Sequence, residues 1–218
     1  MMVQSVKKIL AVKKAGHIGT LDPMAEGVLP ICTGKSTRII QFLSSLSKVY
    51  TAVMVLGSST DTQDATGKVT ATGGNPQNIS EAEIRTVFKR FLGQQNQIPP
   101  MFSAKKKQGI PLYKLARNGI TIERKPVPIT IYSLDFIEKE ENRVRFKVQC
   151  SAGTYIRTLC YDVGQELGCE AHMGHLVRNQ VGNFDQQTSL TLETLKTAVA
   201  DGSLSSKLIP VEKALNFL

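Results

Sequence analysis

The chain has 218 residues, of which 41% are hydrophobic, so it can bury a core as one generous domain or as one domain with a small appendage. The formal net charge of +9 indicates a polyanionic partner, nucleic acid first and an anionic membrane surface second. No apolar run approaches the roughly 18 residues of a membrane span, and the N-terminal MMVQSVKKIL lacks the apolar core of a secretory signal. We therefore expect a cytoplasmic protein with reduced cysteines.

The first quarter of the chain predicts two helices and then a hairpin. Apolar residues at helical spacing among lysines predict an amphipathic helix over residues 4–14, and a second helix is predicted over residues 35–46. Residues 48–56 alternate and are rich in β-formers, which predicts a strand. We expect a polar turn to end that strand and residues 68–72 to pair with it as a hairpin.

The middle of the chain changes character twice. Ser80 followed three residues later by Glu83 is a capping-box signal, and it begins a helix predicted over residues 79–92. Residues 93–128 then mix short apolar patches with basic residues and prolines. This composition predicts an extended, mobile insertion.

The last third of the chain returns to regular elements. Residues 129–136 and 144–149 read as two strands joined by the acidic turn EKEEN. A helix is predicted over residues 154–167, ended by Gly168, and another over residues 190–199. This mixed order of strands and helices predicts the α+β class.

A loop early in the chain is the candidate for chemistry. Residues 16–34, GHIGTLDPMAEGVLPICTG, hold too many glycines and prolines for a regular helix or an uninterrupted strand, yet they carry apolar side chains that indicate packing. One histidine, His17, and one aspartate, Asp22, lie on this support. Taken alone, Asp22 before Pro23 is more typical of a capped turn than of a catalytic residue.

The extended segment GHIGTLDPMAEGVLPICTGKSTR resembles the catalytic motif of the bacterial tRNA pseudouridine-55 synthases of the TruB type. Further segments match in the same order: KVYTAVMVLGSSTDTQDATG (48–67), QIPPMFSAKKKQGIPLYKLARNG (97–119) and CSAGTYIRTLCYDVGQELGCEAHMGHLVR (150–178). The resemblance implies one pseudouridine synthase catalytic domain over residues 1–218. It implies a mixed, mostly antiparallel sheet, flanking helices and a central RNA-binding cleft. The implied reaction is isomerisation of uridine to pseudouridine at position 55 in the TΨC loop of tRNA.

The same resemblance implies the catalytic residues. Asp22 matches the catalytic aspartate, acting as nucleophile or general base; Tyr50 matches the active-site tyrosine that stacks on the base and takes part in proton transfer at C5. Arg157 matches the arginine that pairs with the aspartate, and an anionic partner would offset its unfavourable place in the first turn of a helix. Without the flanking matches, Tyr50 would be an ordinary strand aromatic and Arg157 a solvated arginine. The reaction needs no redox change or energy input, so we expect neither metal nor organic cofactor.

The resemblance also implies how RNA is bound. His17 matches a histidine beside the flipped nucleotide, and Tyr155 is expected to line the pocket. Residues 97–128 match an RNA-gripping insertion, although a solvated surface loop would suit any single lysine in it. The expected phosphate contacts are Lys105, Lys106, Lys107, Lys114 and Arg117.

Two features typical of the family are not expected in this chain. Members usually begin with a strand and a lysine-proline-glycine segment, and they commonly carry a small C-terminal RNA-binding domain.

A zinc site is not predicted at Cys169, His172 and His175, because two histidines three apart with one nearby cysteine make a poor zinc pattern.

The resemblance leaves three hypotheses open. The leading one is a standalone tRNA isomerase with no obligatory protein partner or guide RNA. The second is a non-catalytic tRNA-binding protein or folding chaperone, which would need basic charge but none of the catalytic trio. The third is a guide-RNA-dependent synthase, against which the intact insertion argues.

Overall fold

The computed structural model describes residues 2–217 and contains the mixture of helices and antiparallel strands that the sequence predicts. The α-helices are α1 (Met2–Ile9), α2 (Ile40–Leu43), α3 (Glu81–Arg90), α4 (Leu112–Arg117), α5 (Ile156–Glu166), α6 (Leu192–Ala200), α7 (Leu204–Lys207) and α8 (Val211–Leu215). The strands are β1 (Ala15–His17), β2 (Glu26–Gly27), β3 (Ile31–Thr33), β4 (Lys48–Leu56), β5 (Ser58–Thr60), β6 (Val69–Thr72), β7 (Gly93–Gln97), β8 (Lys106–Lys107), β9 (Ile110–Pro111), β10 (Val127–Glu140), β11 (Arg143–Cys150), β12 (Ala171–Val181) and β13 (Phe184–Asp185). The α+β class is confirmed. Within residues 2–217, none of the helices combines the length and the apolar character that a membrane crossing requires.

The chain divides into two compact units. One unit combines the chain up to Val49 with the chain from Arg178 onward, and the other is Tyr50–Val177. The second unit holds a sheet in the strand order β12-β4-β11-β10-β7. Along β11, buried and exposed residues alternate, so one face of that strand is apolar. On this face Phe146 meets Phe88 of α3 edge to face, with ring centroids 5.6 Å apart.

The first unit has its own small core and a short antiparallel pair. Strands β1 and β3 pair in the register His17↔Ile31, and the segment between them, residues 18–30, is called the glycine-rich loop below. β13 pairs with the end of β12, in the register Gln180↔Asp185. The buried residues of the core are Ile18, Val28, Leu43, Leu46, Val181 and Ala214.

Several predicted elements are confirmed, with physical reasons that the structure makes plain. The strand predicted over residues 48–56 is β4. The capping box of α3 forms: the Glu83 amide donates to Ser80 Oγ at 3.2 Å, and the Ser80 amide donates to Glu83 Oε2 at 2.8 Å. These bonds satisfy amides that the first turn of a helix leaves unpaired.

Other predicted elements are wrong in part. The hairpin partner of β6 is β5, not β4, because the chain turns at Gly57, which has a positive φ of 97°. The predicted mobile insertion begins too early, since residues 93–97 form β7 and pair with β10. The predicted elements did not include β12, whose eleven residues are Ala171–Val181. The predicted helix over residues 35–46 is a 3-10 helix, Gly34–Ile39, followed by the short α2.

Candidate active site

In the first unit, the glycine-rich loop carries Asp22 on a short turn. The Ala25 amide donates to the Asp22 carbonyl at 2.9 Å, and the Asp22 side chain is half-buried. Just before the turn, Ile18 is 1% exposed, and its amide donates to the Pro30 carbonyl at 3.0 Å. The loop is therefore packed rather than solvated, as its apolar residues predict.

His17 lies in the same unit, on β1 opposite Ile31. Its residue surface is half-buried, and its Nδ1 atom is buried without a hydrogen-bond partner among the described residues. A buried polar atom with no partner is costly, so such an atom needs an explanation. The place beside the flipped nucleotide that the resemblance implies for His17 stays a prediction.

In the second unit, Arg157 has a buried guanidinium rather than a solvated one. Its Nη1 donates to the Thr62 carbonyl and its Nη2 to the Phe102 carbonyl, each at 2.9 Å. Nη1 also lies 3.7 Å from Asp64 Oδ2, in an ion pair whose side chains are 4% and 8% exposed. The structure thus gives this cation, in the first turn of α5, an anionic partner that offsets its unfavourable position.

Asp64 is the residue that the sequence interpretation missed. Besides the ion pair, its Oδ1 accepts hydrogen bonds from the Thr62 hydroxyl at 2.8 Å, the Thr66 amide at 2.9 Å and the Thr66 hydroxyl. These bonds hold the carboxylate in one orientation towards Arg157. The signal in the sequence is the alternation Thr-x-Asp-x-Thr at residues 62–66, which on its own is typical of a polar turn.

Tyr155 immediately precedes α5 and is fixed through its backbone. The side chain of Gln97, which is 2% exposed, accepts from the Tyr155 amide at 2.8 Å and donates to the Tyr155 carbonyl at 3.0 Å. Gln97 ends β7, where the insertion leaves the sheet. The base of the insertion and the start of α5 are therefore joined, and Tyr155 and Arg157 lie together there. Tyr50, at the start of this unit on β4, is buried with 8% exposure.

The insertion itself is basic and exposed, with some local structure. Strands β8 and β9 form a small hairpin, and α4 follows it. Lys107 Nζ donates to the Glu123 carbonyl at 3.3 Å, and the Arg117 guanidinium lies 5.4 Å from the centre of the Tyr113 ring. The exposed cations here are the predicted phosphate contacts Lys105, Lys106, Lys107, Lys114 and Arg117, together with Lys125.

Burial changes the titration of two further residues on α5. It raises the pKa of Asp162 to about 6 from 3.8. It also raises the pKa of the Cys160 thiol, which keeps that cysteine neutral and unreactive. Among residues 2–217, no group of three or more histidine, cysteine, aspartate or glutamate side chains is arranged to hold a metal ion.

The structure brings the predicted site residues together in two groups. His17 and Asp22 lie in the first unit, on the glycine-rich loop and the strand before it. Tyr50, Tyr155 and Arg157 lie in the second unit, with the insertion. The pairing of Asp22 with Arg157 and the catalytic and RNA-binding roles of all these residues stay predictions.

Comparison with known protein families covers both units. Residues 7–156 match the family model described as "TruB family pseudouridylate synthase (N terminal domain)". Residues 157–216 match the model described as "tRNA pseudouridylate synthase B C-terminal domain". The two matches follow one another and together cover nearly all of the chain.

Individual relatives agree with the family models. The protein named tRNA pseudouridine synthase B from Geobacillus thermodenitrificans is 44% identical, over 98% of this chain and 72% of its own length. The protein of that name from Syntrophotalea carbinolica is 45% identical, over 89% of this chain and 63% of its own length. The one from Bacillus subtilis is 42% identical, over 99% of this chain and 72% of its own length.

A solved structure shares the fold. In the structure described as a Cbf5-Nop10-Gar1 complex, one chain superposes with a TM-score of 0.77 at 32% identity, over all of this chain and 57% of that one. In another, described as an H/ACA RNP bound to a substrate RNA containing 2'-deoxyuridine, the matched chain gives a TM-score of 0.73 at 31% identity, with 56% of that chain covered. The chain therefore spans a little over half of these solved chains. On the family models, the curated relatives and the fold together, the chain belongs to the TruB family of pseudouridylate synthases.

Proposed function

We propose that this chain isomerises uridine to pseudouridine at position 55 in the TΨC loop of tRNA. The observation that carries the proposal is the buried, fully oriented guanidinium of Arg157, held by Asp64 and two backbone carbonyls. Burying a cation is costly unless it is paired, so a guanidinium held in this way is already ordered for the role that the resemblance implies for Arg157. The family match and the three relatives described above, each named tRNA pseudouridine synthase B, support the same reaction.

The reaction breaks the N-glycosidic bond, turns the freed uracil and rejoins it to the ribose through C5. In this proposal the Asp22 carboxylate acts at C1′ as a nucleophile or at the 2′ position as a general base. The C5 proton is lost and N1 gains one, so the atoms balance without an added reactant. Tyr50 stacks on the base and takes part in that proton transfer, and Arg157 orients the carboxylate.

The target uridine must leave the RNA stack before a half-buried carboxylate can reach it, at a cost of a few kcal/mol. We assign His17 to the space that the flipped nucleotide leaves, as the resemblance implies. Tyr155 lines the pocket. The exposed cations of the insertion contact tRNA phosphates, which supplies affinity without reading sequence.

The proposed partner is tRNA through its TΨC arm, with no guide RNA or obligatory protein partner, in the cytoplasm. The competing hypothesis is a non-catalytic tRNA-binding protein or folding chaperone. It explains the basic insertion, but binding alone needs none of Asp22, Tyr50 and Arg157.

The test is tritium release from unmodified tRNA that contains 5-tritiated uridine. We expect release by the parent protein and none by Asp22→Asn, with tRNA binding retained by both. Binding without release by a parent protein that melts cooperatively would favour the binding-protein hypothesis. Tritium release without an added guide RNA would distinguish this proposal from a guide-RNA-dependent synthase.

A further inference from the structure

Arg178, in β12, has the largest side chain among the fully buried residues that the structure describes, with 1% of its surface exposed. A guanidinium carries five N–H donors, and burying it is costly unless its donors find acceptors. The sequence interpretation assigned no role to this residue. Its partners show what its burial achieves.

Both side-chain partners of Arg178 lie in the glycine-rich loop. Nε donates to the Val28 carbonyl at 2.8 Å, and Nη2 donates to the Gly19 carbonyl at 3.0 Å. These two carbonyls flank Asp22 on either side in the chain. One rigid, planar group therefore joins the two arms of the loop that carries the candidate catalytic carboxylate.

The backbone of Arg178 holds the same loop. The Val28 amide donates to the Arg178 carbonyl at 2.8 Å, so Val28 is bound through both its amide and its carbonyl. Because Arg178 lies within an eleven-residue strand, these bonds tie the loop to a regular element rather than to another loop. Sites supported in this way keep their geometry more precisely.

Two glycines of the loop are explained by the same contact. Gly27 has φ +102°, and a Cβ added there would lie 2.2 Å from the Arg178 carbonyl oxygen. Gly19 has φ +73°, and a Cβ added there would lie 3.3 Å from Arg178 Nη1. Only glycine gives both the backbone conformation and the close approach that this contact needs.

We propose that Arg178 is a positioning residue for the isomerisation: it fixes residues 19–28 at both ends so that the Asp22 carboxylate is held where the ribose reacts. The inference rests on the proposed function, in which Asp22 reacts. Arg178 touches neither substrate nor reacting atoms in this scheme, since its side chain binds the loop carbonyls. Lysine cannot replace it, because a single ammonium cannot span two carbonyls in the fixed fork of a guanidinium.

The experiment compares Arg178→Lys with the parent protein. It measures amide hydrogen exchange across residues 19–28, the single-turnover rate at saturating tRNA, the Kd for tRNA and the thermal melt. Arg145→Lys is the matched control, because Arg145 is a half-exposed arginine that pairs with Glu138 in the other unit. Gly27→Ala disturbs the same contact from the loop side and serves if Arg178→Lys does not melt cooperatively.

We expect exchange across residues 19–28 to rise by about tenfold or more, with little change elsewhere. The single-turnover rate should fall on the order of 100-fold, as expected when a reacting group is misplaced by about 1 Å, while the Kd for tRNA stays within about threefold. Arg145→Lys should change none of these quantities. Gly27→Ala should shift them in the same direction as Arg178→Lys.

Two results would overturn the inference. One is unchanged exchange across residues 19–28 in the variant that melts cooperatively, whether Arg178→Lys or Gly27→Ala. The other is a rise in exchange spread evenly over the unit with no loss of single-turnover rate, which is the signature of a general structural role. If the parent protein itself releases no tritium, the proposed function fails, and the exchange data alone decide whether Arg178 holds the loop.

Discussion

Replacing Asp64 by Asn tests whether the ion pair with Arg157 organises the second unit. The change removes the negative charge but keeps an oxygen that can accept from Thr66. Both side chains of the pair are nearly buried, at 8% and 4% exposure, so the change removes one anionic neighbour of a buried guanidinium. Removing one partner of a buried pair costs about 3–5 kcal/mol. The Nη1–Oδ2 distance of 3.7 Å places this pair at the lower end, about 3 kcal/mol.

For a chain of this size, each kcal/mol lowers Tm by about 2–4 °C, so Asp64→Asn should lower Tm by roughly 6–12 °C. Asp61→Asn is the matched control, since Asp61 is exposed and its carboxylate accepts from the Lys68 amide at 2.8 Å. That change should cost less than about 1 kcal/mol. The assay is a thermal melt of the parent and both variants. Equal melts for Asp64→Asn and Asp61→Asn would refute the argument that the pair is structurally important.

The insertion and α5 provide two further predictions. Replacing Lys105, Lys106 and Lys107 by Gln should weaken tRNA binding. It should also reduce the slope of log K against log salt by roughly 0.7–0.9 for each phosphate that is no longer neutralised. A slope unchanged from that of the control Lys89→Gln, on α3, would contradict the role of these lysines in phosphate binding. Burial raises the pKa of Asp162 to about 6 from 3.8, so the folded state binds the carboxyl proton more tightly than the unfolded state does. The free energy of unfolding therefore falls as pH rises from about 4 to about 6, by up to about 1.4 kcal/mol per pH unit. Asp162→Asn should remove that pH dependence and should melt at a higher temperature than the parent at pH 7.5. If Tm of the parent and of Asp162→Asn changed in parallel between pH 4 and pH 7.5, the burial of an ionised Asp162 would be ruled out.

Local patterns predicted the elements that are set by local interactions. The alternation of residues 48–56 predicted β4, and the Ser80–Glu83 signal predicted the start of α3, because side-chain period and capping bonds act over a few residues. The family was also identified from the sequence, since four motifs occur in order, and the family models confirm it.

Elements that depend on distant partners could not be predicted in the same way. β7 is GQQNQ, which has no β-branched or aromatic residue, and it is a strand because its backbone pairs with β10. β12 contains Gly174 and polar residues that are unusual in a buried strand. Arg178 can be buried there because carbonyls of the glycine-rich loop accept hydrogen bonds from its guanidinium. Asp64 sits in a polar turn, and nothing in its neighbours shows that Arg157 is its partner.

The most direct test of the central claim is to map pseudouridine in unmodified tRNA by carbodiimide treatment and primer extension. After incubation with the parent protein alone, we expect one block to extension, at the target uridine of the TΨC loop. After incubation with Asp22→Asn, which should still bind tRNA, we expect no block. A block that persists with Asp22→Asn, or none with a parent protein that binds tRNA and melts cooperatively, would contradict the assignment of this loop as the catalytic centre.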